Sequence, residues 1–189
     1  MDFDLVVLAG GRASRMGGVD KVSVPLNGLS SLDRLLSATP RASRIVVVGP
    51  QRRTMRQVSW CREDPPGGGP LAAVAAALPL TSARVVLIAA GDMPRLGEVM
   101  GELVAALRTQ PQADVAAVRD LAQVLQPLAA AYRRDALVEQ LEHIGDPDGR
   151  PARLLLEGVS VIPFDGGSAA VDCDTWADIY RVTEELGRA

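Results

Sequence analysis

A glycine-rich segment between residues 10 and 21 carries the first candidate chemistry of this chain. Its four glycines would let the backbone approach a ligand closely and turn N–H groups towards an anion. The pattern matches neither the P-loop, which needs Gly-Lys-Ser/Thr, nor the dinucleotide motif G-x-G-x-x-G. The segment therefore indicates either a triphosphate-binding loop or a flexible glycine loop with solvated basic side chains. Those side chains are Arg12, Arg15 and Lys21.

The basic residues of the whole chain single out one position. Lys and Arg total 20, yet Lys21 is the only lysine. A compact ammonium is a point charge that a planar guanidinium does not replace at a tight site. We therefore expect Lys21 to be required where it stands, at the end of the glycine-rich segment.

Acidic residues follow two other segments that read as ends of secondary structure. Asp92 comes directly after the apolar run Val85 to Ala90, where it could hold a metal ion over the edge of a sheet or cap a turn. Asp172 and Asp174 alternate, so they would share one face of a strand, although Asp174 could instead cap the last helix. Mg²⁺ usually takes one or two carboxylates together with substrate phosphates. Asp92 and Asp174 are the predicted metal ligands, with Asp172 as the alternative to Asp174, and Mg²⁺ is the predicted cofactor.

Histidine and cysteine content excludes several kinds of site. His143 is the single histidine, so no metal or catalytic constellation that needs two is available. It stands near the end of a predicted helix, where a basic residue suits the helix dipole. Two cysteines are too few for a disulfide scaffold or a four-cysteine zinc site, and we expect both to be reduced thiols.

Apolar runs alternate with helical periodicity along the chain, as in an α/β protein. Runs such as Leu5 to Ala9, Ile45 to Val48 and Val85 to Ala90 are typical of buried parallel strands ended by glycine. Residues 97–108 have apolar side chains at helical spacing, and helices are also predicted at Pro151 to Glu157 and from Thr175 onwards. We predict one domain over residues 1–189, a mostly parallel, doubly wound (Rossmann-like) sheet with helices on both faces. Ligands of such sheets bind beyond the carboxyl ends of the strands.

Composition narrows the class further. The chain has 189 residues, 48% of them apolar and 23% charged, which is typical of a globular domain. A net charge of −3 disfavours a general nucleic-acid binder. No apolar run approaches the roughly 20 residues of a membrane span, and the acidic start lacks the basic region of a signal peptide. We expect a cytoplasmic protein that binds neither nucleic acid nor membrane.

Five blocks of the sequence resemble those of MobA-like nucleotidyltransferases, the family of molybdenum cofactor guanylyltransferase. They occur in the family's order from residue 5 to about residue 180, and the first is the most specific. The blocks are Leu8-Ala9-Gly10-Gly11-x-x-x-Arg15-Met16-Gly17-x-x-Asp20-Lys21, Glu63-Asp64 with Gly69-Pro70-Leu71-Ala72, Gly91-Asp92-Met93-Pro94, Gln126-Pro127-Leu128, and Asp172-x-Asp174-Thr175.

The resemblance implies Mg²⁺-dependent transfer of GMP from GTP onto the terminal phosphate of molybdopterin, with release of pyrophosphate. Arg15, Lys21 and Asp92 would be catalytic, the two basic residues neutralising the triphosphate and Asp92 holding Mg²⁺ and the phosphates. Asp64 would lie near the guanosine. The expected nucleotide-binding residues are Leu8, Ala9, Gly10, Gly11, Arg15, Lys21, Asp64, Gly69, Pro70, Leu71 and Asp92.

Three departures from the family pattern keep alternatives open. Gly49-Pro50 replaces an Asn after the second strand, Gly28 to Ser31 replaces Gly-Lys-Pro-Leu, and Trp176 replaces a Pro. They concern nucleoside contacts and acceptor identity more than phosphate and metal binding. The alternatives are a cytidylyltransferase or sugar-phosphate nucleotidylyltransferase, and a nucleotide-binding module without activity. In the first block, the related cytidylyltransferases have a sequence similar to Leu-Ala-Ala-Gly. The pair Gly10-Gly11 in this chain therefore favours guanine over cytosine. The sequence indicates no protein partner.

Overall fold

The computed structural model describes residues 2–10 and 19–188. Gly11 and Arg15, both predicted to bind the nucleotide, lie outside these residues. Within them, a seven-stranded sheet in the order β5-β4-β1-β6-β8-β7-β9 forms the centre, and a short hairpin, β2-β3, lies apart from it. The strands are β1 (Phe3–Leu8), β2 (Pro25–Leu26), β3 (Leu29–Ser30), β4 (Arg44–Val48), β5 (Ser59–Cys61), β6 (Val85–Ala90), β7 (Val115–Arg119), β8 (Leu125–Arg133) and β9 (Val161–Asp165).

In the described part of the chain, five α-helices connect or follow the strands, with short 3₁₀ turns between them. The helices are α1 (Ser31–Ala38), α2 (Gly69–Ala77), α3 (Met100–Thr109), α4 (Arg134–Ile144) and α5 (Trp176–Arg188). The 3₁₀ turns are Lys21–Ser23, Leu78–Leu80, Leu96–Glu98, Ala152–Leu156 and Gly167–Ala170.

The predicted fold class is confirmed. β1 pairs in parallel with β4 and β6, β4 with β5, and β7 with β9, while β8 runs antiparallel to both β6 and β7. Because β1 has strands on both sides and helices above and below, its side chains are buried on both faces, which explains the apolar run from Leu5 to Leu8.

Two apolar layers cover the two faces of the sheet. Leu5 and Val7 of β1 point to the layer that contains Leu35 of α1 and Leu103 of α3. The intervening Val6 points to the opposite layer. That layer contains Leu71 of α2 and Leu137 of α4. The predicted placement of helices on both faces therefore follows from the two-residue period of the strands.

Helix α5 packs outside these two layers. Ile179 and Val182 of α5 form a third apolar cluster with Leu26 of β2 and Cys173. Thr175 accepts a hydrogen bond from Asp178 N at 3.2 Å and caps the helix, as predicted for Thr175. The cap is thus Thr175 rather than Asp174.

Two local predictions were wrong. The segment from Pro151 to Glu157 forms the 3₁₀ turn Ala152–Leu156 rather than a longer helix, since Glu157 already has an extended backbone and Gly158 has a φ of +76°. Asp172 and Asp174 do not lie on a strand. Between them, Cys173 N donates to Asp92 O at 2.9 Å, so this backbone bonds to the loop after β6 instead of to a neighbouring strand.

Across the described ranges, every helix is too short or too polar to traverse a bilayer.

Candidate active site

A cavity of about 450 Å³ opens at the carboxyl ends of β1 and β6. This is the edge where ligands of parallel sheets bind. The cavity is lined by Leu8, Ala9, Gly10, Asp20, Lys21, Val22, Val48, Glu63, Gly67, Gly69, Pro70, Ala73, Ala90, Asp92 and Leu128.

The floor of the cavity is made by strand ends that hydrogen-bond one another. Ala9 N donates to Val48 O and Gly91 N donates to Leu8 O, each at 2.8 Å. Gly49 lies against this backbone with φ of +142°, and a Cβ there would be 2.8 Å from the carbonyl carbon of Ala9. Only glycine fits both the conformation and the space at this position.

Lys21 begins a 3₁₀ turn that rises beside the cavity. The preceding Asp20 is held by Arg52, whose Nη2 donates to Asp20 Oδ1 at 2.8 Å, and by Ser23 Oγ at 2.7 Å. This arrangement lowers the pKa of Asp20 through its hydrogen bonds, against the opposing effect of burial. The Lys21 ammonium donates to Asp174 Oδ1 and forms an ion pair with it.

Asp92 stands on a loop that is fixed from two sides. Ser31 Oγ donates to Gly91 O at 2.9 Å from α1, and Cys173 N donates to Asp92 O at 2.9 Å. Burial raises the pKa of Asp92, Lys21 opposes the shift, and Asp172 reinforces it. Burial likewise raises the pKa of Asp172, with the nearby charge of Asp174 adding to it. One ammonium and three carboxylates are therefore gathered at this edge.

Another part of the cavity wall is the loop that leads into α2. Glu63 is buried and its Oε1 accepts from Gly67 N at 3.0 Å. Gly67 and Gly69 have φ of +93° and +90°, so the loop presents bare backbone to the cavity. Gly68 O accepts from Gly149 N at 2.8 Å, which ties this loop to the segment after α4.

The structure brings most of the predicted site residues to one place. Leu8, Ala9, Gly10, Lys21, Gly69, Pro70 and Asp92 all line the cavity. Asp174 joins them through its ion pair with Lys21. Asp64 lies outside the lining, and Leu71 is fully buried in the apolar layer beneath α2. Gly11 and Arg15 fall outside the described residues, so their assignment stays a prediction.

Sequence reasoning overlooked some of the lining. Glu63 faces the cavity where Asp64 was expected, and Asp20, Val48 and Gly67 complete the wall. One signal in the sequence could have identified Glu63 as a lining residue. It follows the end of β5 by two residues, and residues at such strand ends face the ligand site. No local signal separates Glu63 from Asp64, because their orientation depends on how the loop packs.

A comparison with protein families identifies the family of the chain that forms this cavity. The model of the MobA-like NTP transferase domain matches residues 5–161. The chain belongs to this family. All of the cavity-lining residues lie within the matched segment.

Relatives of this MobA-like NTP transferase carry a common name. A probable molybdenum cofactor guanylyltransferase from Nostoc sp. is 31% identical over 96% of this chain and 90% of its own. A molybdenum cofactor guanylyltransferase from Shewanella frigidimarina is 35% identical over 62% of this chain and 63% of its own.

Solved structures with the same fold include a protein with a different nucleotide in its name. 2-C-methyl-D-erythritol 4-phosphate cytidylyltransferase from Thermus thermophilus is 16% identical, with a TM-score of 0.71 over 97% of this chain and 98% of its own. The fold by itself therefore does not distinguish a guanylyltransferase from a cytidylyltransferase.

The carboxylates of this MobA-like chain suit a hard divalent cation. Among residues 2–10 and 19–188, no three His, Cys, Asp or Glu side chains form a group that could enclose a metal ion. Asp92 lines the cavity, and Asp174 is close enough to raise its pKa. One or two carboxylate oxygens with the remaining ligands from phosphate or water is the usual environment of Mg²⁺, so the donor set fits that ion.

Proposed function

We propose that this chain is a guanylyltransferase, which transfers GMP from GTP to the terminal phosphate of a molybdopterin-type acceptor and releases pyrophosphate. One observation carries the proposal. The cavity of a MobA-like NTP transferase collects the backbone of Leu8 to Gly10, the single lysine and the half-buried Asp92 at one strand edge. The names of the relatives supply the substrates.

The proposed reaction needs alignment and charge compensation more than covalent help from the protein. An oxygen of the acceptor phosphate forms a bond to the α-phosphorus of GTP. The bond between the α- and β-phosphates breaks, and its electron pair leaves with pyrophosphate. Because a phosphate monoester is largely ionised at pH 7, with a second pKa of about 6, no protein base has to remove a proton.

The basic and acidic side chains then have separate tasks. Lys21, together with the predicted Arg15, would neutralise the triphosphate, and the backbone N–H groups near Gly10 would bind its oxygens. Asp92, with Asp174 as a second ligand, would hold Mg²⁺, which offsets the charge of the departing pyrophosphate when bound. His143 lines a different groove at the end of α4, consistent with a reaction that needs no imidazole.

We expect the cavity to select guanine through backbone groups. Gly10 and the Gly67 to Gly69 loop let N–H and C=O groups approach the base without intervening side chains. A backbone group left unpaired by the wrong base would cost about 1–3 kcal/mol. We therefore expect GTP to bind at least about tenfold more tightly than ATP or CTP, since about 1.4 kcal/mol corresponds to tenfold.

Calorimetric titration of GTP, CTP, ATP and UTP in the presence of Mg²⁺ tests the nucleotide. Incubation of GTP with molybdopterin and detection of pyrophosphate tests the acceptor. A preference for CTP, or equal affinities, would replace the proposal with a cytidylyl or sugar-phosphate nucleotidylyl transfer. Tight GTP binding without any pyrophosphate release would indicate a nucleotide-binding module.

A further inference from the structure

Lys21 already has an anionic partner within the protein. Its ammonium is paired with Asp174, a residue 153 positions away, although the same side chain lines the cavity. The two side chains are only 18% and 31% exposed, so the pair is partly shielded from water. Phosphates that enter this cavity must compete with Asp174 for the only lysine.

The two partners differ in how firmly they are held. Asp174 lies between Cys173, whose N donates to Asp92 O, and Thr175, which caps α5. Helix α5 is itself packed on the β2-β3 hairpin through Ile179 and Val182. Lys21 instead has a long unbranched stem with several rotatable bonds. Transfer of Lys21 to a ligand therefore requires a side-chain rotation, whereas displacement of Asp174 would disturb the start of a helix.

Charge at this edge changes when the pair opens. Asp92, Asp172 and Asp174 interact with one another, and Lys21 opposes the rise in the pKa of Asp92 and Asp172. If Lys21 turns to phosphates, the carboxylates lose this part of their charge compensation. A divalent cation would restore it, and bridging such an ion between carboxylates and phosphates is the usual mode for Mg²⁺.

We propose that Asp174 is a positioning residue that holds Lys21 before nucleotide binds and yields it to the triphosphate, so that nucleotide binding without metal is weakened and nucleotide and metal bind cooperatively. The proposal deepens the proposed function, because it concerns the same cavity. It requires only that phosphates bind there, and is independent of which base or acceptor is used.

We expect substitution of Asp174 to strengthen phosphate binding in the absence of metal. Asp174→Asn keeps the shape of the side chain but removes the competing charge. Metal-free binding of inorganic tripolyphosphate should strengthen by about threefold to fivefold, as expected from the loss of a partly exposed ion pair worth up to about 1 kcal/mol. The ratio of GTP affinity with Mg²⁺ to GTP affinity without Mg²⁺ should be smaller in Asp174→Asn than in wild type, by a similar or larger factor. A structural defect would not strengthen binding.

Asp172→Asn is the matched control. It removes an equal charge from the same segment, but Lys21 is hydrogen-bonded to Asp174 rather than to Asp172. A smaller gain for Asp172→Asn than for Asp174→Asn separates release of Lys21 from a general reduction of negative charge. Asp174→Ala is the second variant, and it should give a gain in the same direction.

The experiment is calorimetry with tripolyphosphate and with GTP, each in EDTA and in Mg²⁺, on folded protein verified by thermal unfolding. Unchanged or weaker metal-free binding of tripolyphosphate by both Asp174 variants would overturn the proposal, as would equal gains for Asp172→Asn. Absence of metal-free tripolyphosphate binding by the wild type and by both Asp174 variants would also overturn it. A gain with tripolyphosphate accompanied by no preference for GTP would support this inference and contradict the proposed guanylyl transfer.

Discussion

The two halves of the central sheet treat their polar groups in opposite ways. In the half formed by β7, β8 and β9, buried Tyr132 donates its hydroxyl to Pro127 O at 2.7 Å. Nearby, Gln126 Nε2 donates to Asp120 Oδ2 at 2.7 Å, and Arg133 Nε donates to Ala113 O at 2.7 Å. These polar groups are satisfied by neighbours, as is usual in folded proteins.

The carboxyl-terminal edge of β1, β4 and β6 keeps arrangements that cost free energy. Asp92 is half-buried near other carboxylates, and burial raises its pKa because the charged form loses contact with water. Gly49 has a backbone conformation that other residues rarely adopt, pressed against Ala9. The comparison teaches that the candidate site lies where the fold tolerates partly buried charge and close backbone approach, whereas the other half mainly contributes stability. We therefore expect variants at the edge of β1, β4 and β6 to reduce turnover more than stability. Variants in the half formed by β7, β8 and β9 should reduce stability more than turnover.

The largest expected effect is that of Asp92→Asn on turnover. Loss of the carboxylate that would hold Mg²⁺ should reduce Mg²⁺-dependent pyrophosphate release by about 100-fold or more. Tyr132→Phe is the control from the other half. It should lower stability by about 1 kcal/mol through loss of one hydrogen bond, with turnover of the folded protein unchanged. Ordinary turnover of Asp92→Asn across a Mg²⁺ titration would show that the metal is held elsewhere.

Substitution of Lys21 should have the next largest effect. Lys21→Ala should weaken binding of GTP by about tenfold to 100-fold, since hydrogen bonds to charged groups contribute about 1.5–3 kcal/mol. Lys21→Arg should also be impaired, because the planar guanidinium is broader than an ammonium. Arg153→Ala, at a residue whose side chain is 72% exposed, is the control and should bind GTP normally. Near-normal affinity in both Lys21 variants would refute the assignment.

Gly49→Ala tests the close backbone approach. We expect a loss of about 1–3 kcal/mol in the free energy of unfolding, from the strained conformation and from contact with Ala9, measured by urea denaturation. Gly28→Ala is the matched control, since Gly28 also has positive φ, +88°, but a Cβ there would meet no atom within 4 Å. A larger loss of stability in Gly49→Ala than in Gly28→Ala, with weaker nucleotide binding only in Gly49→Ala, would show that the close approach to Ala9 matters for the site. Equal losses would mean that conformation alone matters.

The smallest expected effect is on the pH dependence of stability, and its sign should differ between two aspartates. The pKa of Asp92 is raised in the folded chain, so its ionisation destabilises the fold as the pH rises through that pKa. Asp92→Asn should therefore be more stable than wild type at pH 7. The difference should shrink as the pH falls through the raised pKa, and should stop changing below the ordinary value of 3.8.

Asp178 is the opposite case. Hydrogen bonds from Thr175 lower its pKa, so its stabilising effect is present above the ordinary value of 3.8 and is lost as the pH falls through the lowered pKa. Asp178→Asn should be less stable than wild type at pH 7, with the difference disappearing in acid. Urea unfolding of both variants from pH 7 downwards checks the two signs, and the same sign for both would contradict the account.

Local sequence determined the elements and much of the site. The apolar runs at β1, β4 and β6 predicted the parallel strands, because full burial on both faces requires continuous apolar sequence. Glycines and charged residues after those runs predicted a candidate site at one edge of the sheet, since the carboxyl ends of parallel strands meet there. Asp92 and Lys21 could be proposed in this way without any knowledge of their neighbours.

Tertiary structure alone decided which distant groups meet. The pairing of Lys21 with Asp174 spans 153 positions and depends on how α5 and its preceding segment pack against the loop after β6. The choice of Glu63 over Asp64 as the cavity-lining carboxylate depends on the path of one loop. Local patterns report periodicity and conformational preference, whereas these contacts arise from the packing of elements far apart in the chain, which no local pattern encodes.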